Sequence, residues 1–298
     1  MGPVLFTIFI NDLPEAVVSM CKVFADDTKL YNSTVKSRDI QNDLNKLQEW
    51  SDTWNLLFNV DKCKVMHIGK KNPNQKYFMH PGNGNQELQT CEEEKDLGVV
   101  FDKSLSFDSH IQKAISKANQ MLGLIKRTFT FLNKEIFLKL YKTMVRPHLE
   151  YGNVIWNPYL KRQSVALERV QRRATRLLSE CTGKSYQERL SFLDLYSLKG
   201  RRFRGDLINI FKMFNDTNNV YSANLLPPAP YTNTRNSERK IFIEHFRTNL
   251  RKNTLRFRIA NHWNALTITQ KFAQDTNKFK NLIDDDPKLV ELFFAFDE

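Results

Sequence analysis

A chain of 298 residues with 41% hydrophobic side chains carries enough apolar material for two or three small cores, which excludes a wholly disordered protein. Its formal net charge of +12, from 45 Lys+Arg against 33 Asp+Glu, favours a polyanionic partner. Four dispersed cysteines, Cys21, Cys63, Cys91 and Cys181, and histidines without HxxxH spacing exclude a CxxC or zinc centre, and the thiols are expected to be reduced.

The chain opens on an apolar run, Phe6 to Ile10, broken by Asn11 and Asp12. It is too short to span a membrane and lacks a basic leader, so it is expected to be a buried helix of a protein that is nuclear or cytoplasmic, neither secreted nor membrane-bound. Two β-prone runs follow, Val23-Phe24-Ala25 and Thr28 to Tyr31, with Asp26 and Asp27 between them. A tight hairpin presents both carboxylates together, where they can hold a divalent cation. Nucleotidyl transfer commonly uses two such ions roughly 4 Å apart, which makes Asp26 and Asp27 catalytic and metal-binding candidates. An ordinary polar turn is the alternative.

Ile40, Leu44, Leu47, Ser51 and Trp54 then mark a helix, and strands are expected near Val65 and Val99, with a turn at Asn83-Gly84 and a loop from Asp102 to Ser106. From Phe107 the period lengthens. Ile111, Ile115, Ala118, Leu122, Ile125 and Phe129 predict one amphipathic helix, and Asn133 caps a second that Pro147 helps to end.

Charge divides along the chain: residues 1–120 hold 14 Lys+Arg against 16 Asp+Glu, and the rest hold 31 against 17. Within the basic part, Arg169, Arg172, Arg173 and Arg176 recur at i, i+3, i+4 and i+7 of a predicted helix. Four arginines on one stripe repel unless anions meet them, and Glu168 is expected to neutralise only part of that charge. Nucleic-acid phosphate is the favoured partner, with a solvated basic face as the alternative. Lys126 and Arg127 are further candidate contacts, with solvated helix-end charge an equal reading.

A third region, from Thr182, contains a helix carrying Phe203, Leu207, Ile210, Phe211 and Phe214, then a stiff proline-rich linker near 225–230. Beyond it, Arg235, Arg239, Arg247, Arg251, Arg256 and Arg258 interleave with Phe242, Phe246, Phe257 and Trp263. That mixture suits single-stranded RNA, although core aromatics beneath a basic surface are the favoured reading of Trp263. Asp284-Asp285-Asp286 before Pro287 reads as a helix cap or solvated run.

Several ordered motifs carry a resemblance. Gly2-Pro3-Val4-Leu5-Phe6, Ile8 to Pro14, Phe24-Ala25-Asp26-Asp27, Asn59 to Met66, Asp96-Leu97-Gly98-Val99, Arg146 to Gly152 and Leu167 to Ala174 together resemble the reverse transcriptases of non-LTR (LINE-like) retrotransposons. The resemblance implies an α+β palm remnant with a catalytic-type β-hairpin over residues 1–104, a mostly α-helical thumb-like region over 105–181 and a basic helical C-terminal region over 182–298. It also implies RNA-directed DNA synthesis with Mg2+, an RNA template and DNA primer as partners, and a role for Lys62 beside the departing pyrophosphate.

The family's first catalytic Asp and fingers would fall before Met1. The expectation is therefore a truncated enzyme, weak in metal binding and inactive alone, with an upstream reverse transcriptase half as a possible partner. Asp12 reads as a helix end rather than as a substitute carboxylate. The competing readings are a non-catalytic RNA/DNA-binding protein from a decayed element and a basic structural or interaction protein. Oligomeric state has no signature in the sequence.

Overall fold

A computed structural model describes residues 1–33, 37–80, 84–216, 225–227 and 239–297. Asn83 of the expected turn, residues 228–230 of the expected linker, and Arg235 lie outside the described residues. The chain divides into two compact units, Met1–Leu105 and Ser106–Glu298. The architecture is α+β: the described strands form four two-stranded ladders, all in the first unit, and the second unit is helical.

In the first unit, α1 (Gly2–Phe9) has proline in its first turn, where no intrahelical N–H is needed. The hairpin β1 (Met20–Phe24) and β2 (Asp27–Tyr31) follows, then α2 (Ser37–Trp54). The apolar stripe of α2 serves two small cores. Leu47 and Trp50 pack with Ile10, Leu13, Val23 and Leu30, whereas Ile40 and Leu44 pack against Val60, Tyr77, Met79 and Leu88. Short ladders complete the unit: β3 (Lys64–Val65) pairs in parallel with β6 (Gln89–Thr90), and β4 (Phe78–Met79) antiparallel with β5 (Gln86–Glu87). The last ladder is β7 (Glu93–Asp96) antiparallel with β8 (Val99–Asp102).

The opening helix forms as expected but is not buried. Leu5 is 60% exposed, Ile8 69% and Phe9 39%; only the half-buried Phe6 and, just beyond the helix, the buried Ile10 reach the core. Apolar residues surround this short helix on all sides, while the small core behind it can cover one side. Phe9 continues the exposed patch onto Trp54, with ring centroids 5.5 Å apart.

The second unit begins with α3 (Asp108–Thr128), which buries Ile111, Ala118, Leu122 and Ile125 and leaves Phe129, past its end, exposed. Asn133 caps α4 (Lys134–Leu140) by accepting from the Ile136 amide at 2.8 Å. Pro147 does not end this helix. A π turn over Tyr141–Val145 leads into α5 (Arg146–Glu150), with the Arg146 amide donating to the Tyr141 carbonyl. Widening the turn just before a residue that lacks an N–H lets the chain continue past the proline.

After α6 (Asn153–Trp156) come α7 (Lys161–Thr175), α8 (Tyr186–Leu193) and α9 (Leu198–Asn215). The remaining helices are α10 (Asn249–Lys252), α11 (Leu255–Ala265), α12 (Ile268–Lys271), α13 (Thr276–Asp284) and α14 (Pro287–Phe294). Their core joins Leu207, Ile210 and Phe211 of α9 to Ile259, Trp263, Phe279, Ile283 and Phe293. Trp263 is fully buried, as the core reading required. Asp286 caps α14 through the Lys288 amide, and Asp284 pairs with Arg204 of α9 rather than standing in solvent. Gly200 allows the closest packing here, since a β-carbon on it would lie 1.9 Å from the Phe293 carbonyl oxygen.

Candidate functional site

The register of the hairpin, Phe24 opposite Asp27 and Val23 opposite Thr28, leaves a two-residue turn of Ala25 and Asp26. Alternation along the strands then separates two faces. Val23 and Leu30 turn to the core, and Asp27 falls on the other face with Phe24, Lys22 and Lys29. Asp26 and Asp27 are both exposed. Ala25 has φ +52°, the left-handed region in which a hairpin turn normally carries glycine, at a cost of about 1–2 kcal/mol for a residue with a β-carbon. The two carboxylates thus stand at a tight, strained tip, with Asp27 on the face away from the core.

Three contacts hold the base of this hairpin. Asp43 of α2, 1% exposed, accepts hydrogen bonds from the Val18 and Ser19 amides at 2.9 and 2.7 Å, just ahead of β1. Burial pushes the Asp43 carboxyl up, but hydrogen bonds from the Ser19 side chain and from the two amides outweigh it and leave its pKa below the ordinary value. Asn32, just past β2, donates to the Ser19 hydroxyl at 2.9 Å, and Lys29 pairs with Asp96 of β7. The sequence carried no signal for Asp43, because its partners are backbone amides 24 and 25 residues away.

Among the described residues no group of three or more His, Cys, Asp or Glu side chains gathers to hold a metal ion. The hairpin supplies two carboxylates, which is short of a donor set for two magnesium ions, so no step is derived through metal. Asp12 accepts from the Trp50 indole at 3.2 Å and serves the core. Lys62 ends a single helical turn over Val60–Lys62 and is exposed, and the neighbouring Lys64 pairs with Glu94 at 2.8 Å.

In the helical unit, Arg169, Arg173 and Arg176 are exposed on or just after α7, and Arg173 donates to Asn119 of α3 at 2.9 Å. Arg172 is half-buried between two rings, its guanidinium 4.9 Å from the Tyr186 centroid and 4.8 Å from that of Phe296. Glu168 neutralises none of the stripe. It is 1% exposed and faces inward, accepting from the Tyr186 hydroxyl and from the Leu198 amide, and burial raises its pKa. Lys126 and Arg127 are exposed in the last turn of α3. Arg127 shares one face of α3 with Gln112, Ser116, Asn119, Gln120 and Gly123. Asn119 joins that face to Arg173.

Of the later arginines, Arg247 is exposed, whereas Arg239, Arg251, Arg256 and Arg258 are engaged within the fold. Arg258 forms a bidentate pair with Asp206, Arg251 and Arg256 share Glu244, and Arg239 donates to the Lys271 carbonyl. Arg201 pairs with Glu150.

The family model described as "Reverse transcriptase (RNA-dependent DNA polymerase)" matches residues 1–132. The mobile element jockey RNA-directed DNA polymerase of Drosophila funebris is 30% identical over 174 residues, 51% of this chain and 18% of that protein. Its Drosophila melanogaster counterpart is 24% identical over 241 residues, covering 76% of this chain and 25% of the relative. A probable RNA-directed DNA polymerase from transposon X-element of Drosophila melanogaster is 24% identical over 202 residues, 61% of this chain and 21% of its own length. The chain therefore spans about a quarter or less of these curated relatives. No solved structure matches. Among the described residues no helix is long and apolar enough to cross a membrane. The segment that folds into the paired-aspartate hairpin lies within the match, so residues 1–132 are similar to the reverse transcriptase family, and the chain resembles RNA-directed DNA polymerases from mobile elements.

Proposed function

We propose that this chain is a palm-and-thumb portion of an RNA-directed DNA polymerase and contributes two of the carboxylates that such an enzyme needs. The observation that carries the reading is the exposed, strained tip holding Asp26 and Asp27 within the family match. In this reading the first unit is palm, Asp26 and Asp27 are donors to Mg2+, and Lys62 supplies positive charge to the departing pyrophosphate. The exposed Arg169, Arg173 and Arg176 hold the backbone of RNA template or DNA primer, and Lys126 and Arg127 at the end of α3 extend that contact. Arg172 belongs to the same face but is covered by aromatic rings.

Two aspartates cannot complete the donor set, and the apolar patch of Leu5, Ile8, Phe9 and Trp54 suits a covering polypeptide. Further reverse transcriptase sequence satisfies both needs: another acid for the metal ions and an apolar surface for α1.

Primer extension on an RNA template with Mg2+ and nucleotides tests the reading, with the Asp26→Asn, Asp27→Asn double variant as control. Residues 1–298 alone are expected to retain template at low salt, release it as salt rises, and extend no primer. Extension that the double variant abolishes would refute the need for a further carboxylate. Failure to retain nucleic acid at low salt would remove the backbone-binding role.

A further inference from the structure

The end of the described chain folds back over the helix that carries the arginine stripe. The Asp297 carboxylate receives Lys199 at 2.5 Å and lies close to the Ser164 hydroxyl of α7. Ser164 in turn accepts from an Arg202 Nη at 3.1 Å. Arg202 is 4% exposed, and its other Nη has no hydrogen-bond partner. Next to it, Phe296 covers Arg172, whose Nε also lacks a partner and whose Nη2 reaches the Asp297 carbonyl at 3.5 Å. Burial pushes the Asp297 carboxyl up, yet Lys199, Ser164 and the Arg202 charge together hold it below its ordinary range, so the group is ionised. A carboxylate thus occupies a pocket built from a lysine, a hydroxyl and a buried guanidinium, the donor set that also suits a phosphate.

Glu168 and Asp206 lie near Arg202 and offset part of its charge, but Asp206 is already committed to Arg258. Replacing the Asp297 carboxylate leaves Lys199 without its anionic partner, while Arg172 keeps its contact with the Asp297 carbonyl. At roughly 100° per residue around α7, Arg172 falls between Ser164 and the exposed Arg169 and Arg176, so the pocket borders the arginine face.

We infer that Ser164, Lys199, Arg202 and Arg172 form a phosphate pocket, that the tail seats the Asp297 carboxylate in it as an internal stand-in, and that a nucleic-acid backbone phosphate displaces the tail to widen the arginine face. The displacement rests on the proposal that α7 contacts nucleic acid, whereas the pocket can be tested without it. Tail and phosphate compete for the same donors, so the tail sets a threshold against weakly held polyanions.

Two probes on the full chain decide the matter. Inorganic phosphate is titrated against thermal unfolding of the native protein, Asp297→Asn, Asp297→Asn with Lys199→Ala, and Asp285→Asn as an equal change of charge at an exposed site. A saturable phosphate-dependent rise in Tm is expected for Asp297→Asn alone, and its absence there, or its persistence with Lys199→Ala, overturns the pocket. Labelled single-stranded RNA is then titrated against the same set and against Arg169→Ala with Arg173→Ala. Asp297→Asn is expected to bind RNA roughly three- to tenfold more tightly, with a salt slope steeper by about 0.7. Tightening no greater than that of Asp285→Asn overturns displacement by nucleic acid. An Arg169→Ala, Arg173→Ala variant that binds RNA like the native chain refutes the arginine face, and the phosphate titration still decides the pocket.

Discussion

The two units use charge and apolar surface in opposite ways. In Met1–Leu105 the cores are small, the carboxylates of greatest interest stand in solvent, and apolar side chains of α1 are left uncovered. In Ser106–Glu298 one extensive core is wrapped by ion pairs that reach across the sequence, and arginines that look like a binding surface in one dimension are largely structural in three. Basic composition is therefore a poor guide to where this chain meets a polyanion, and exposed arginines that share one face, such as Arg169, Arg173 and Arg176, are more informative than the total.

The sharpest way to break that contrast is to remove a buried pair. Asp206 and Arg258 have side chains only 5% and 10% exposed, and Arg258→Ala leaves a buried carboxylate uncompensated, so a loss of about 3–5 kcal/mol is expected from chemical denaturation. A loss below about 1 kcal/mol would return these arginines to the list of surface groups.

A smaller effect is expected in the first unit. Asp43→Ala strands the Val18 and Ser19 amides and is expected to remove about 1–3 kcal/mol, with faster amide exchange at both residues. Because the folded pKa of Asp43 lies below its unfolded value, its stabilisation is complete above the unfolded pKa and is lost as pH falls through the folded one. Native protein should thus lose, on acidification, a stability increment that Asp43→Ala lacks at every pH. Parallel acid titrations of the two would contradict this assignment.

The smallest stability change belongs to the apolar helix. Leu5→Ser with Ile8→Ser should alter unfolding free energy by less than about 0.5 kcal/mol per site while reducing self-association in sedimentation. A large destabilisation would mean that α1 is core after all.

Local order was legible in the sequence. The stripes of α2, α3 and α9, the Asn133 cap and the hairpin all depend on neighbours within a turn or two, and each stands where the spacing places it. What escaped depends on distant partners. Arg258 meets a carboxylate 52 residues away, Arg204 one 80 away, and the Arg172 carbonyl contact spans 125, none of which leaves a periodic trace. The opening helix failed for a related reason: a short, mostly apolar run says that a surface wants cover, not that cover is supplied within Met1–Leu105. The π turn was missed because proline marks a lost hydrogen bond without saying how the preceding turn adjusts.

Ala25 has a consequence that concerns precision rather than stability. A glycine would relieve the strain at φ +52°, but it would also open the conformations that a β-carbon forbids, and the tip of the hairpin would swing through a wider arc. With alanine the well is shallower and narrower. Asp26 and Asp27 are consequently borne on a stiff spring, and the turn gives up folding energy in exchange for a smaller spread in where two negative charges stand.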